Sequence, residues 1–405
     1  MDFNDNREEA ALRARVRAWI AENAAEYEGL PPAKTPEEYV ARQRGWQKKK
    51  YGGGYAGITW PKKFGGQGRA PMEAIIFSQE ESRSAAPTGL YDIGLGMCIP
   101  TVFTHGSPDV IQRFVRRALE GDEIWCQLFS EPSAGSDLAG IRAKAVRDGT
   151  DWIVNGQKVW TTNAHLCDYG IIITRTDAGA PKHKGLTMFI VDMHAEGVEC
   201  RPLKQMSGAS DFNEVFFDDV RIPDAWRLGA EGEGWQVALT TLMNERLAVG
   251  GKPRNSPDWS MLMRVAAITE TARGPAVHQA DVRERIAQAY INDRGVALTQ
   301  QRALSALSQG KTPGPEQSIA KLVVARQMQE ISRFALDLSE SAGFLTGEDG
   351  SDLARLQDSY FWAAGLRIAG GTDEILRNII AERVLGLPGD LRPPKDTPFN
   401  EVQPL

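Results

Sequence analysis

Apolar positions in this chain keep two different rhythms, and the rhythm changes twice. Over residues 5–28, Ala11, Leu12, Val16, Trp19 and Ile20 recur at three- and four-residue intervals, the period of one helix face. A second such stretch covers 35–50. Residues 51–68 (YGGGYAGITWPKKFGGQG) interrupt it with Gly and Pro. The helical period resumes at 71–84, where Pro71 suits a first turn, and again at 107–120. Between them, 89–106 is apolar and helical in part. After Glu123 alternation takes over. Across 141–220, runs such as DWIVNGQKVW, DYGIIITRTD, GLTMFIVDM and NEVFFDDVRIP alternate with period two between turn residues, which predicts a small β-barrel or sandwich.

From Gly234 the helical period returns, and it predicts helices near 234–249, 258–272, 280–308, 314–342, 351–368 and 372–386. Two Gly and two Pro in 250–260 (GGKPRNSPDWS) separate the first two, since neither residue type continues a helix there. The expected fold class is therefore α+β and multidomain. An N-terminal α-helical domain (1–123) precedes a middle β-domain (124–228), a C-terminal bundle of four-helix type (229–386) and a Pro-rich tail (387–405), read as free or as an arm on a neighbour.

Composition narrows the class without naming a chemistry. At 405 residues the chain is long for one core, and 42% hydrophobic with 25% charged residues is the balance of a soluble globular protein. Net charge is −6, with no like-charged block long enough for a nucleic-acid arm. Cys98, Cys126, Cys167 and Cys200 are far apart, with no CxxC pair or nearby His cluster; they read as reduced thiols, and no metal site is expected. The acidic start MDFNDNREEA lacks an apolar segment, and no run approaches the ~20 apolar residues of a membrane span. A cytoplasmic protein is the expectation.

Two stretches carry candidate chemistry. Residues 125–140 (WCQLFSEPSAGSDLAG) place Ser130, Ser133 and Ser136 around Gly135, whose missing Cβ lets backbone approach a ligand. Hydroxyls beside backbone N–H groups suit a polar ring edge or a phosphate, and equally an ordinary Ser/Gly turn. In residues 152–163 (WIVNGQKVWTTN), Asn155-Gly156 predicts a hairpin turn. Trp160 and Thr162 then fall on one face of the outgoing strand, as either a platform for a flat heteroaromatic ring or a core Trp beside a surface Thr. His165 has equal standing as a ligand contact and as a strand-end residue, and His183 reads as solvated loop.

Together these stretches resemble the acyl-CoA dehydrogenase family. FSEPSAGSD, NGQKVWTTN, NEVFFDDVRIP, GEGW and GGTDEILRNIIAERVLGLP follow the family's order and spacing over nearly the whole chain. The resemblance implies FAD-dependent α,β-dehydrogenation of an acyl-CoA thioester: a base takes the α-proton while hydride passes from Cβ to flavin N5. It also implies an electron-transfer flavoprotein as acceptor and a homo- or hetero-oligomer, dimer or tetramer. By the same match, Phe129 and Ser130 lie at the pyrimidine end of the flavin, Trp160 on its flat face and Thr162 near N5. Ser136 contacts the CoA pantetheine or FAD, and Gly371, Thr372 and Glu374 contact its ribose or adenine side. Arg246 contacts the CoA arm.

The sequence departs from the commoner family pattern twice. Gly370 stands where many members carry the catalytic Glu, which leaves only a backbone N–H for the thioester oxygen. The alternative placement, a Glu before an Arg on the helix after the β-domain, is met by Glu245-Arg246, so Glu245 is the expected base. The family's Arg-x-x-Phe-Gly loop, which grips the diphosphate of a neighbouring subunit's FAD, is replaced by ARGPAVH (272–278), with Arg273 as the remaining cation. These departures resemble the heterotetrameric branch acting on bulky substrates such as steroid side-chain CoA thioesters. A non-catalytic, FAD-sharing partner subunit and a flavin monooxygenase or oxidase on the same fold are the competing readings.

Overall fold

The computed structural model describes residues 5–249, 256–308, 314, 317–347, 351–389, 394 and 396–401, and for 245–249, 304, 307, 308 and 317 the backbone alone. The chain forms two compact units. One comprises Asp2–Gln205, Ser210–Ala248 and Leu391–Leu405, and the other Met206–Ala209 and Val249–Asp390.

The first unit opens with five helices: α1 (Arg7–Ala24), α2 (Pro36–Gly52), α3 (Pro71–Glu81), α4 (Ile99–His105) and α5 (Pro108–Glu120). Their starts follow local chemistry. Asn6 caps α1 in a reciprocal capping box with Glu9, and Thr35 and Ser107 cap α2 and α5, each followed by Pro at the first turn. Leu12, Val16 and Ile20 of α1 bury one stripe against Trp46, Ile76 and Phe77. Charge reinforces this packing: buried Glu80 of α3 accepts from Arg13 (3.1 Å) and Arg17 (2.8 Å) of α1. The apolar stretch before α4 is a π-turn, Gly94–Cys98, where Gly94 lies so close to Trp125 that a Cβ would meet the indole's own Cβ at 3.1 Å.

Eight strands follow in one mixed sheet: β1 (Trp125–Leu128), β2 (Lys144–Asp148), β3 (Asp151–Thr162), β4 (Tyr169–Arg175), β5 (Leu186–Asp192), β6 (Val198–Leu203), β7 (Phe212–Pro223) and β8 (Arg227–Leu228). Their order is β6-β7-β3-β2-β4-β5-β8, with β1 parallel to β4. β4 and β5 are apolar almost throughout and buried on both faces, as continuous rather than alternating runs should be. Helix α6 (Gly234–Val249) returns to this unit, where Thr241 bonds Thr101 at 2.9 Å and Thr240 bonds His105 at 2.8 Å.

The predicted hairpin turn at Asn155-Gly156 is not there. Those residues lie inside β3, and the two-residue turn is Gly149-Thr150, between the paired residues Asp148 and Asp151. Gly149 is the first central residue of that turn and takes the left-handed φ of 61° that a two-residue turn with glycine in first place needs. Gly156 serves a bulge instead, with its Cα side pressed on Ala143: an added Cβ would meet Ala143 Cα at 2.7 Å. Asn155 is used as a strand-to-strand clip, bonding Asp219 at 2.8 and 3.0 Å.

The second unit holds α7 (Trp259–Ile268), α8 (Ala280–Ser308), α9 (Gln317–Leu338), α10 (Asp352–Leu366) and α11 (Asp373–Ile379). Helix α7 stops four residues earlier than its periodicity predicts, because β9 (Glu270–Thr271) pairs with β10 (Gly274–Pro275) in a short hairpin. Part of the C-terminal tail belongs to the first unit, where Phe399 and Asn400 donate to Ala180 and Ala178 and the Phe399 ring lies 3.8 Å from the Arg175 guanidinium. Among the described residues, no helix is long and apolar enough to cross a membrane.

Candidate active site

Strand β1 leads straight into the first candidate stretch. Phe129 is buried and Ser130 half-buried at its end; Glu131 and Ala134 then close a tight turn by exchanging backbone bonds of 2.9 and 3.0 Å. Ser133 within the turn and Gly135 and Ser136 beyond it are exposed. This loop is bound to β3 by Val159, whose N–H donates to the Ser130 carbonyl at 2.9 Å. The structure thus brings Phe129 and Ser130 beside the strand that carries Trp160 and Thr162.

That strand is irregular where it matters. Its register with β7 shifts between Lys158 and Thr161, and Trp160 takes a φ of 62°. A left-handed conformation at a bulky residue costs on the order of 1–3 kcal/mol. It is not repaid by burial, because the Trp160 side chain is 62% exposed and touches Phe212 only edge-on, at 6.1 Å. Asn213 holds the strained segment by donating its Nδ2 to the Thr161 carbonyl at 2.9 Å, while its Oδ1 accepts from His165 Nδ1 at 2.9 Å. Of the two readings of Trp160, the core residue is excluded; of those of His165, the structure shows a strand-end partner of Asn213.

Two residues that the sequence reading passed over fix the geometry. Lys158 is fully buried and donates to the Phe129 carbonyl (3.0 Å) and to Glu131 Oε1 (2.8 Å). Glu131, 6% exposed, also accepts from the backbone N–H groups of Arg142 (2.6 Å) and Ala143 (2.9 Å). Burial pushes the Lys158 ammonium down to about 8, with the Glu131 carboxylate opposing that shift. A signal for the pair existed: Lys158 shares the period-two phase of buried Trp152 and Val154. An inward lysine demands a partner.

The remaining expected residues are on other elements. Glu245 and Arg246 are on α6, and their side chains fall outside the described part of the structure. In the second unit, Gly370 and Gly371 both take left-handed φ, 64° and 93°, just before Thr372, whose hydroxyl caps α11 by accepting from Ile375 N–H at 3.2 Å. Buried Asp373 closes this turn by pairing with Arg367 at 2.6 Å, and Lys321 donates to the Gly371 carbonyl at 2.6 Å. Glu374 is exposed; the backbone N–H groups at the helix start and the Thr372 hydroxyl hold its carboxyl below the usual range. Arg273 sits exposed in the hairpin turn and pairs with Asp281 at 3.0 Å. Among the described residues, no group of His, Cys, Asp and Glu could hold a metal ion.

Comparison with known proteins gives this arrangement a class. Three acyl-CoA dehydrogenase domains match in sequence order, the N-terminal domain at residues 6–122, the middle domain at 126–220 and the C-terminal domain at 232–385. The chain is 36% identical to the acyl-CoA dehydrogenase IpdE1 of Mycobacterium tuberculosis, over 94% of this chain and 98% of that one. It is 37% identical to the acyl-CoA dehydrogenase FadE34 of the same organism over 94% of its own length, and spans about half (52%) of that longer protein. Among solved structures, the Tcur3481-Tcur3483 steroid ACAD superposes with a TM-score of 0.80 at 26% identity, covering 96% of this chain and 100% of that one. These matches define an FAD-dependent oxidoreductase acting on acyl-CoA. The chain belongs to the acyl-CoA dehydrogenase family.

The residues present fit that cofactor. An indole face presented to solvent from a costly backbone conformation has contacts still to make, and a flat flavin ring can make them. Ser130, tied to β3 by the Val159 N–H, and Thr162, two residues beyond Trp160, carry hydroxyls of the kind a polar ring edge can use.

Proposed function

We propose that this chain dehydrogenates a bulky, ring-bearing acyl-CoA thioester between Cα and Cβ, with Glu245 as the base. The observation that carries this reading is Gly370. A glycine in left-handed φ, with a second one after it, has no carboxylate to offer at the commoner family position. Glu245 on α6 is the remaining carboxylate at a position the family uses. There it takes the α-proton, while the Gly370 N–H steadies the charge that grows on the thioester oxygen. FAD, held by Phe129, Ser130, Trp160 and Thr162 and by Gly371, Thr372 and Glu374, supplies the acceptor for the hydride that leaves Cβ. Ser136 and Arg246 hold the CoA arm. Small residues at 369 and 370 leave room for a branched or cyclic acyl group, and a steroid-related one is supported by the steroid dehydrogenase likeness.

The same likeness supports assembly with a second chain, since Arg273, the one cation left in the 272–278 loop, is engaged by Asp281. A soluble, cytoplasmic enzyme passing electrons to an electron-transfer flavoprotein completes the reading. The test is a panel of acyl-CoAs, including steroid acids, assayed with the purified protein and a ferrocenium acceptor. A product two hydrogens lighter from ring-bearing thioesters is expected. Oxygen uptake with a hydroxylated product would point to a monooxygenase, and a colourless protein unable to bind FAD with any acyl-CoA present would point to a non-catalytic subunit.

A further inference from the structure

The buried Lys158–Glu131 pair has no part in the chemistry above, yet it joins three segments of the site. Lys158 Nζ reaches the Phe129 carbonyl at 3.0 Å and Glu131 at 2.8 Å, and Glu131 gathers the N–H groups of Arg142 and Ala143 at 2.6 and 2.9 Å. The next residue continues the tie, Val159 N–H to Ser130 carbonyl at 2.9 Å. Immediately beyond, the register shifts and Trp160 turns into its left-handed conformation. The pair therefore sits at the hinge between Phe129–Ser130 on one side and Trp160–Thr162 on the other.

Stability is a weak reason for such a pair. Taking an ammonium and a carboxylate out of water costs several kcal/mol per ion, and packed apolar side chains of similar volume are commonly as stable or more so. What apolar packing cannot supply is direction. An ammonium with two fixed acceptors, one of them a backbone carbonyl, sets where the loop stands against the strand. We propose that Lys158 and Glu131 are positioning residues: they set the spacing of Phe129–Ser130 against Trp160–Thr162 and thereby determine how tightly the chain holds FAD. This rests on the flavin-facing role given to those four residues above.

The experiment compares FAD retention and thermal stability in the holoenzyme. Lys158→Met/Glu131→Gln removes both charges without stranding either. The dissociation constant for FAD is read from flavin fluorescence on dilution, and unfolding from circular dichroism. The double variant is expected to melt no lower than Lys158→Met alone and to hold FAD roughly tenfold more weakly or worse, the scale at which small displacements in a built site are felt. Glu131→Gln alone keeps one oxygen for Lys158 and the Ala143 N–H but loses the acceptor of the Arg142 N–H, and should hold FAD less tightly than the wild type yet more tightly than Glu131→Ala. A melting temperature that falls while FAD affinity stays at the wild-type value would overturn the proposal. Should the double variant not fold, the Glu131→Gln and Glu131→Ala comparison decides: equal FAD affinity in the two overturns it. Trp160→Ala, run in parallel, separates the two levels. Unchanged FAD affinity there sinks the flavin-facing reading itself, whereas weakened affinity there with an unaffected double variant removes only the positioning role.

Discussion

Trp160 concentrates the account in one residue. It pays conformational strain, at a φ of 62°, for an indole that the chain itself does not bury. Two properties should therefore separate on substitution. In FAD-stripped protein, Trp160→Gly relieves the left-handed strain and should raise the melting temperature or leave it unchanged. In the holoenzyme the same change should weaken FAD, read as a lower ratio of flavin to protein absorbance. A melting temperature that drops in the stripped protein would mean the indole packs after all. Nearby, Gly156→Ala drives a methyl into Ala143 and should cost on the order of 1–3 kcal/mol, checked by denaturant unfolding. The sequence showed Trp160 and Thr162 as a pair worth attention, through the WTTN run. It did not show the bulge, because period-two reasoning assumes an even strand. It misplaced the turn because Asn155-Gly156 is a stronger local turn signal than Gly149-Thr150, and only tertiary contact with Ala143 and Asp219 draws 155–156 into the strand.

At the scale of elements, helix positions were legible wherever one apolar stripe met a strong cap, as in α1 and α5. They were less so where pairing competed, as where the β9–β10 hairpin cuts α7 short. Charge couples elements in a way periodicity does not reveal. The Arg17 guanidinium, followed by that of Arg13, holds the Glu80 carboxyl below the usual range and ties α3 to α1. A carboxyl depressed in the folded state contributes stability above its unfolded pKa, and that contribution is lost as pH falls through the folded value. Melting temperature should thus decline below about pH 4.5 in the wild type. Glu80→Gln should lower it at neutral pH and flatten the acid limb; an acid limb as steep as the wild type's would show that the ion pair contributes nothing. The C-terminal segment gives a second element-scale prediction. Phe399→Ala removes the ring over Arg175, a contact of about 0.5–2 kcal/mol, and limited proteolysis should then clip the tail sooner.

For the whole molecule, the α–β–α order was readable because the period of apolar positions changes at Glu123 and again at Gly234. Substrate identity was not, since the acyl pocket is defined by shape rather than by residue type at a fixed spacing. Membership of the acyl-CoA dehydrogenase family fixes the class of reaction, and Gly370 redirects attention to Glu245 for the base. The most direct measurement is the anaerobic bleaching of bound FAD by a ring-bearing acyl-CoA, followed by the visible absorbance of the oxidised flavin in a stopped-flow instrument, for the wild type and Glu245→Gln. The account predicts that the variant keeps its FAD but is reduced some 10²–10⁴-fold more slowly, the usual contribution of a positioned base. Reduction of the variant at the wild-type rate would contradict it.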